Sequence, residues 1–265
     1  MEFITILLSG LLGLVSPAGL VIDRTARNAI RSQFGKVEQL QVRVDNAPSY
    51  QLLQGKVERV RIAGRGLELK RQDIRIAVLE LESDPINFEP RSLGRRLPKL
   101  KQPFQAGVRL VLTKQDINRF LQSRQLTVRL RNLGINKLQY SRYNLVNPQV
   151  KFLENNRIRF QVELTEDDVL PLAITVESGL SLVAGRQIQL VEPAIWVNGE
   201  AVPSQFVSAI QTNISKQLEL SNLERYGLGA RLLKLKVSQD ELEIAAFLRV
   251  EPSSRLLQNR RLSMY

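Results

Sequence analysis

In two stretches of this chain apolar residues recur at every second position: Phe104, Ala106, Val108, Leu110 and Leu112, then Leu242, Ile244, Ala246, Leu248 and Val250. A period of two puts alternate side chains on one face of an extended strand, so each stretch reads as a strand with one apolar face. The same signal runs through Leu40, Val42 and Val44, through Val60 and Ile62, and through Ile74, Ile76 and Val78. There the parity shifts to Leu79 and Leu81, which implies a bulge or bend. A hairpin is expected with Val150 and Phe152 on one arm, the turn Glu154-Asn155-Asn156, and Ile158, Phe160, Val162 and Leu164 on the other. Further strands are expected at 172–176, 187–191, 195–197 and 233–237. Strands with a single apolar face must have that face covered.

Helical periodicity is sparser. Ile22, Ala26, Ala29, Ile30 and Phe34 recur at three and four positions with Arg24, Arg27 and Arg31 between them, an amphipathic helix for which Gly35 supplies the stop. Thr113-Lys114-Gln115-Asp116 resembles a capping box opening a short helix with Ile117, Phe120 and Leu121. The longest helical stripe, Phe206, Val207, Ile210, Ile214 and Leu218, follows Pro203. Strand runs on both sides of helical segments place the chain in the α+β class. We expect a hydrophobic N-terminal segment over 1–22, a single domain over 23–252 and a basic tail over 253–265.

The 265 residues contain no cysteine and no histidine, which removes thiol nucleophiles, disulfides, Ser-His-Asp relays and zinc sites built on those ligands. An enzyme would have to run on carboxylates, Lys, Ser or Tyr, and the carboxylates form no recognisable acid/base pair. Gly64-Arg65-Gly66 falls short of a dinucleotide loop, and Asp167-Asp168 lacks the spaced oxygens of a calcium loop. No cofactor, no metal and no catalytic residue is expected.

The net charge of +12 is uneven. Residues 86–131 carry 11 basic and 2 acidic side chains, with Arg91, Arg95, Arg96, Lys99 and Lys101 crowded together and Leu93, Leu97 and Leu100 among them. Such a field attracts phosphate on a lipid or a nucleic acid. The aromatics nearby, Phe88, Phe104 and Phe120, form no base-stacking pattern, which disfavours nucleic acid. Residues 3–22 run twenty positions without a charge, about a bilayer's thickness, but include Gly10, Gly13, Pro17 and Gly19 and lack a basic start. A membrane-associated segment, a cleaved signal and an internally packed helix stay open. If the segment inserts, Arg24, Arg27, Arg31 and Lys36 behind it keep the main body cytoplasmic; export to a periplasm is the alternative.

Three landmarks, Val44-Asp45-Asn46-Ala47-Pro48, Leu52-Leu53-Gln54-Gly55-Lys56-Val57 and Ile62-Ala63-Gly64-Arg65-Gly66-Leu67, precede Leu112-Thr113-Lys114-Gln115-Asp116-Ile117-Asn118. In order and spacing they resemble the LmeA-like phospholipid-binding family, over roughly residues 20 to 250. The resemblance implies a phospholipid binder similar to the tubular lipid-binding superfamily, with a strongly curved antiparallel sheet wrapped around a long helix and additional short helices. It brings no catalytic residues. The landmark residues themselves read as structural: Pro48 and Gly55 set turns, and Gly64 and Gly66 a bend between strands.

The expected activity is phospholipid or other acyl-lipid binding or transfer at an anionic membrane surface, without catalysis. Acyl chains are assigned to Ile30, Phe34, Phe104, Val108, Phe160, Val162, Phe206, Ile210 and Ile214, and headgroups to Arg91, Arg95, Arg96, Lys99 and Lys101. The alternatives are a membrane-associated scaffold with a filled core and a basic nucleic-acid-binding protein.

Overall fold

The structure, a computed structural model, describes residues 27–28, 30–46, 49–70, 73–92, 99–123, 126, 144–166 and 169–254. Its strands form two antiparallel sheets. The six-stranded sheet runs β1 (Phe34–Asp45), β3 (Arg59–Leu69), β4 (Arg75–Ser83), β6 (Phe104–Thr113), β13 (Glu241–Val250), β12 (Leu228–Val237). The five-stranded sheet runs β11 (Glu200–Ala201), β10 (Gln187–Val197), β9 (Val169–Val183), β8 (Arg157–Glu166), β7 (Asn144–Leu153). A small pair, β2 (Lys56–Val57) and β5 (Ile86–Asn87), stands apart. Helix α1 (Lys114–Leu121) follows β6 directly, and α2 (Ser204–Gln217) follows β11.

This overturns the expected α+β class with a sheet wrapped around a long helix. The chain is mostly antiparallel sheet, and among the described residues the longest helix, α2, has 14 residues and packs on β10 from one side. At 1.5 Å per residue it spans about 21 Å. Among the described residues the helices packed on the strands are short, α1 on β7 and α2 on β10, and none is a central rod. The N-terminal helix also ends earlier than expected. Residues 27–28 and 30–31 are helical, the Ser32 amide donates to the Asn28 carbonyl at 2.9 Å, and the chain is already extended at Phe34. Gly35 is therefore a strand residue, at the register shift between the Phe34–Leu69 and Lys36–Glu68 pairs, and not a helix stop.

Strand pairing shows why the period of two matters. One transverse row of the six-stranded sheet reads Val42, Ile62, Leu81, Val108, Ala246, Leu232, one residue per strand. The adjacent row, on the opposite face, reads Gln41, Ala63, Glu80, Arg109, Ala245, Lys234. The apolar face joins Phe34, Val57, Phe88, Leu100 and Phe104 in one core whose members are 0 to 5 % exposed. On the opposite face charges alternate across strands: Arg109 meets Glu80 at 3.2 Å and Glu243 at 2.7 Å, and Lys234 meets Glu243 at 2.6 Å. The hydrogen bond from Arg109, then that from Lys234, holds the Glu243 carboxyl down at about 2. Glu80 and Glu82 are thus exposed but paired, Glu82 with Arg59.

The parity change in β4 is not a bulge, because β4 pairs with β3 and β6 without a register shift. The bend lies in the neighbouring strand. Gly66 sits inside β3 at φ +57°, a left-handed conformation that favours glycine, with the end of the Glu38 side chain lying where a Cβ would point. Gly64 and Gly66 therefore shape one strand instead of separating two. Gly55 does make a turn, at φ +79° with its carbonyl accepting from the Phe88 amide at 2.7 Å. Pro48 lies outside the described residues.

Three polar clasps join the sheets. Thr113 caps α1 by accepting from the Asp116 amide at 3.1 Å, and its hydroxyl donates to the Asp116 carboxylate at 2.7 Å. That carboxylate, 4 % exposed, also pairs with Arg75 of β4 at 3.1 Å. Two residues on, Asn118 accepts from the Val150 amide at 2.6 Å and donates to the Val150 carbonyl at 3.0 Å, acting as the next strand beside β7. Asn156, left-handed at φ +58° in the β7–β8 turn, accepts from the Val237 amide of β12 at 2.6 Å and donates to the Leu180 carbonyl of β9. The Leu232 amide donates to the carbonyl of Gly185, in the β9–β10 turn, at 2.7 Å.

Candidate functional site

The two sheets are built alike but buried differently. Paired residues of the five-stranded sheet give the rows Val150, Phe160, Val176, Ile195 and Val162, Ile174, Val197, with Leu164 opposite Leu172 and Leu180 opposite Leu190. Its other face is polar, with Gln149, Gln161, Thr175 and Trp196 in one row and Lys151, Arg159 and Glu177 in the next. The apolar face is only partly covered. Ile117 and Leu121 of α1, with Val237 and Leu242, pack around Val150, Phe152, Ile158, Phe160 and Leu180. On the far side α2 buries Val207 and ties Gln211 to the Leu190 carbonyl at 2.9 Å.

Between those two covers Leu164, Leu172, Ile174, Val176 and Val197 are only half-buried. The row ends at Leu170, 86 % exposed, and α2 presents Phe206 and Ile210 one turn apart at 56 % and 41 %. Ser178 of β9 is 2 % exposed, but even the best-buried apolar side chains of this sheet, Val162 and Ile195, at 7 %, are less enclosed than the core of the six-stranded sheet.

The nine residues assigned to acyl chains therefore do not converge on one cavity. Ile30, Phe34 and Phe104 are core residues of the six-stranded sheet at 2 to 3 % exposure, and Val108 packs against that core. Phe160 and Val162 lie on the apolar face of the five-stranded sheet, while Phe206, Ile210 and Ile214 lie on α2, with Ile214 half-buried. Sequence reasoning passed over Leu172, Ile174 and Val176 as site residues, although their own alternation marks them.

Of the headgroup residues, Arg91, Lys99 and Lys101 are exposed, and Arg95 and Arg96 lie outside the described residues. The segment carrying them has a fixed root. The Glu89 amide donates to the Lys99 carbonyl and the Lys101 amide to the Asn87 carbonyl, both at 2.8 Å, and Ser92 Oγ accepts from the Lys99 amide at 2.8 Å. Leu100, placed by the sequence among the surface cations, is instead 3 % exposed and bridged to Phe88. Arg109, Lys114 and Arg119, from the same basic stretch, are engaged by Glu80 and Glu243, by Asp240 and by Glu68. Phe88 and Phe104 are buried, which withdraws two of the three aromatics from any base-stacking role.

Two clefts open near the turn between β3 and β4. One of about 320 Å³ is lined by Asn28, Arg31, Ser32, Phe34, Gly35, Val37 and Lys70. The other, of about 420 Å³, is lined by Glu68, Leu69, Asp73, Ile74, Arg75, Arg119, Gln122 and Ser123. No helix among the described residues is long and apolar enough to cross a membrane.

A family model described as LmeA-like phospholipid-binding matches residues 14–247, most of the chain. The chain belongs to the LmeA-like phospholipid-binding family. No curated protein and no solved structure matches it. The landmark residues of this LmeA-like chain are now placed: Gly66 kinks β3, Thr113 and Asp116 start α1, and Asn118 clasps β7.

Proposed function

We propose that this chain binds phospholipid by taking acyl chains onto the apolar face of the five-stranded sheet, between α1 and α2, and that it acts at a membrane surface without catalysis. The contrast in burial between the two sheets carries this reading: one apolar face is closed, the other is half-open and edged by Leu170, Phe206 and Ile210. Completing the burial of half-exposed Leu, Ile and Val side chains is worth about 1 kcal/mol each, which favours an apolar ligand on this face. Membership of the family supports the same ligand class. The absence of Cys and His, and the engagement of buried Asp116 by Thr113 and Arg75, support a role without acid/base chemistry.

The test is uptake. Protein stripped of lipid and mixed with phospholipid liposomes is expected to retain phospholipid stoichiometrically by native mass spectrometry; retention of none contradicts the reading. Membrane docking is assigned to Arg91, Arg95, Arg96, Lys99 and Lys101, since basic side chains near an anionic surface contribute about 1 kcal/mol each. Reversing Arg95, Arg96 and Lys99 to Glu should weaken sedimentation with acidic vesicles by more than about tenfold at low salt. Unchanged sedimentation removes the docking assignment and leaves the lipid-face assignment standing.

A further inference from the structure

We infer that the cleft between residues 31–35 and the end of β3 is a phosphate-ester site held by Arg31 and Lys70. This deepens the phospholipid reading, on which its headgroup form rests. Both side chains are exposed on the cleft wall, and neither has an ion-pair partner among the described residues. Glu38 meets Arg75 at 2.8 Å, Glu68 lies 3.9 Å from Arg119, and Asp73 lines the neighbouring cleft. No carboxylate among the described residues lines the cleft. Two cations thus face a small concavity with no ion-pair partner among the described residues.

The rest of the lining fits an amphiphile. Asn28 adds an amide, Gly35 leaves the backbone bare, and Phe34 and Val37 form an apolar floor continuous with the core of the six-stranded sheet. A volume of about 320 Å³ lies at the lower end of small-ligand sites, more than a bare anion fills. The neighbouring cleft makes the contrast. Its cations Arg75 and Arg119 are already matched by Asp116, Glu38 and Glu68, so it offers an anion little net attraction. A phosphodiester accepting hydrogen bonds from a guanidinium and an ammonium is a strong pairing, because both donors are charged.

The experiment uses the full chain and the double variant Arg31→Gln/Lys70→Gln, with Lys151→Gln/Lys236→Gln as an equal loss of charge at exposed sites elsewhere. Three probes are offered: phosphatidylglycerol in vesicles, diacylglycerol in the same vesicles, and inorganic phosphate followed by 31P line broadening. The expected result is that the Arg31/Lys70 variant takes up phosphatidylglycerol at least about tenfold less well, takes up diacylglycerol like the parent, and keeps its melting temperature. Loss of phosphate broadening with phosphatidylglycerol uptake intact would also support the site and assign it to free phosphate. Parent-like behaviour of the variant towards both anionic probes overturns it, as does an equal loss in the Lys151/Lys236 control. If the parent chain takes up neither lipid, the phospholipid reading fails, and the phosphate arm still decides whether the cleft holds an anion.

Discussion

Replacing Asn118 with Ala should lower the unfolding free energy by about 2 to 4 kcal/mol, a large fraction of what holds a domain of this kind together. Asn118 is the only side chain of α1 that takes both the amide and the carbonyl of Val150, at 2.6 and 3.0 Å, and Val150 is 8 % exposed. Alanine leaves both backbone groups buried without a partner, at about 1 to 3 kcal/mol for each. Asp at the same position should be no better. It keeps an acceptor for the Val150 amide but sets a carboxylate oxygen against the Val150 carbonyl, where a donor stood. The measurement is the urea midpoint at constant slope. A loss below about 0.5 kcal/mol for Asn118→Ala would mean that water replaces the clasp and that β7 is an ordinary exposed edge.

A second large effect is expected on binding. Leu172→Lys combined with Ile174→Lys should abolish phospholipid uptake, a fall of more than about a hundredfold, while the protein stays folded. Both positions are half-buried on the proposed lipid face, so each ammonium can reach water in the free protein by extending its stem. A bound acyl chain removes that escape, and a charge in an apolar contact costs several kcal/mol. The companion change, Ala173→Lys with Thr175→Lys, adds the same charge to the same strand on the opposite face and should leave uptake unchanged. Strand parity is what separates the pairs. Equal losses from both would show that added charge, not its face, governs uptake.

How far the sequence could be read follows from the range of each interaction. Strands were legible because alternation is local: β6, β13 and the β7–β8 hairpin with its Glu154-Asn155-Asn156 turn stand where the period of two puts them. The start of α1 was legible for the same reason, since Thr113 and Asp116 are three residues apart. The end of the N-terminal helix was not. Phe34 fits a helical stripe, but its pairing with Leu69 across the sheet prevails, and Gly35 goes with it. The long central helix came from a resemblance and not from periodicity, and α2, at 14 residues on one side of β10, does not supply it.

The clasps were hidden because their partners are distant in sequence, Asn118 by 32 residues and Asn156 by 81. The candidate site was half legible. Apolar side chains were found, but alternation says only that a face is apolar, not whether it is closed. Phe104 and Phe160 look equivalent in sequence, yet one belongs to a core of 0 to 5 % exposure and the other to a half-open face. Likewise Leu100 sits among cations in sequence but pairs with Phe88 in space.

The absence of cysteine allows the central claim to be tested at a single position. One cysteine in place of Ile174, and in a second protein one in place of Thr175, can carry a fluorescent label while the chain is loaded with phospholipid bearing a quencher partway along its acyl chain. If acyl chains lie on the apolar face of the five-stranded sheet, the label at 174 should be strongly quenched and the label at 175 should not. Equal quenching at the two positions, or none at 174 in protein that has demonstrably taken up the lipid, would contradict it.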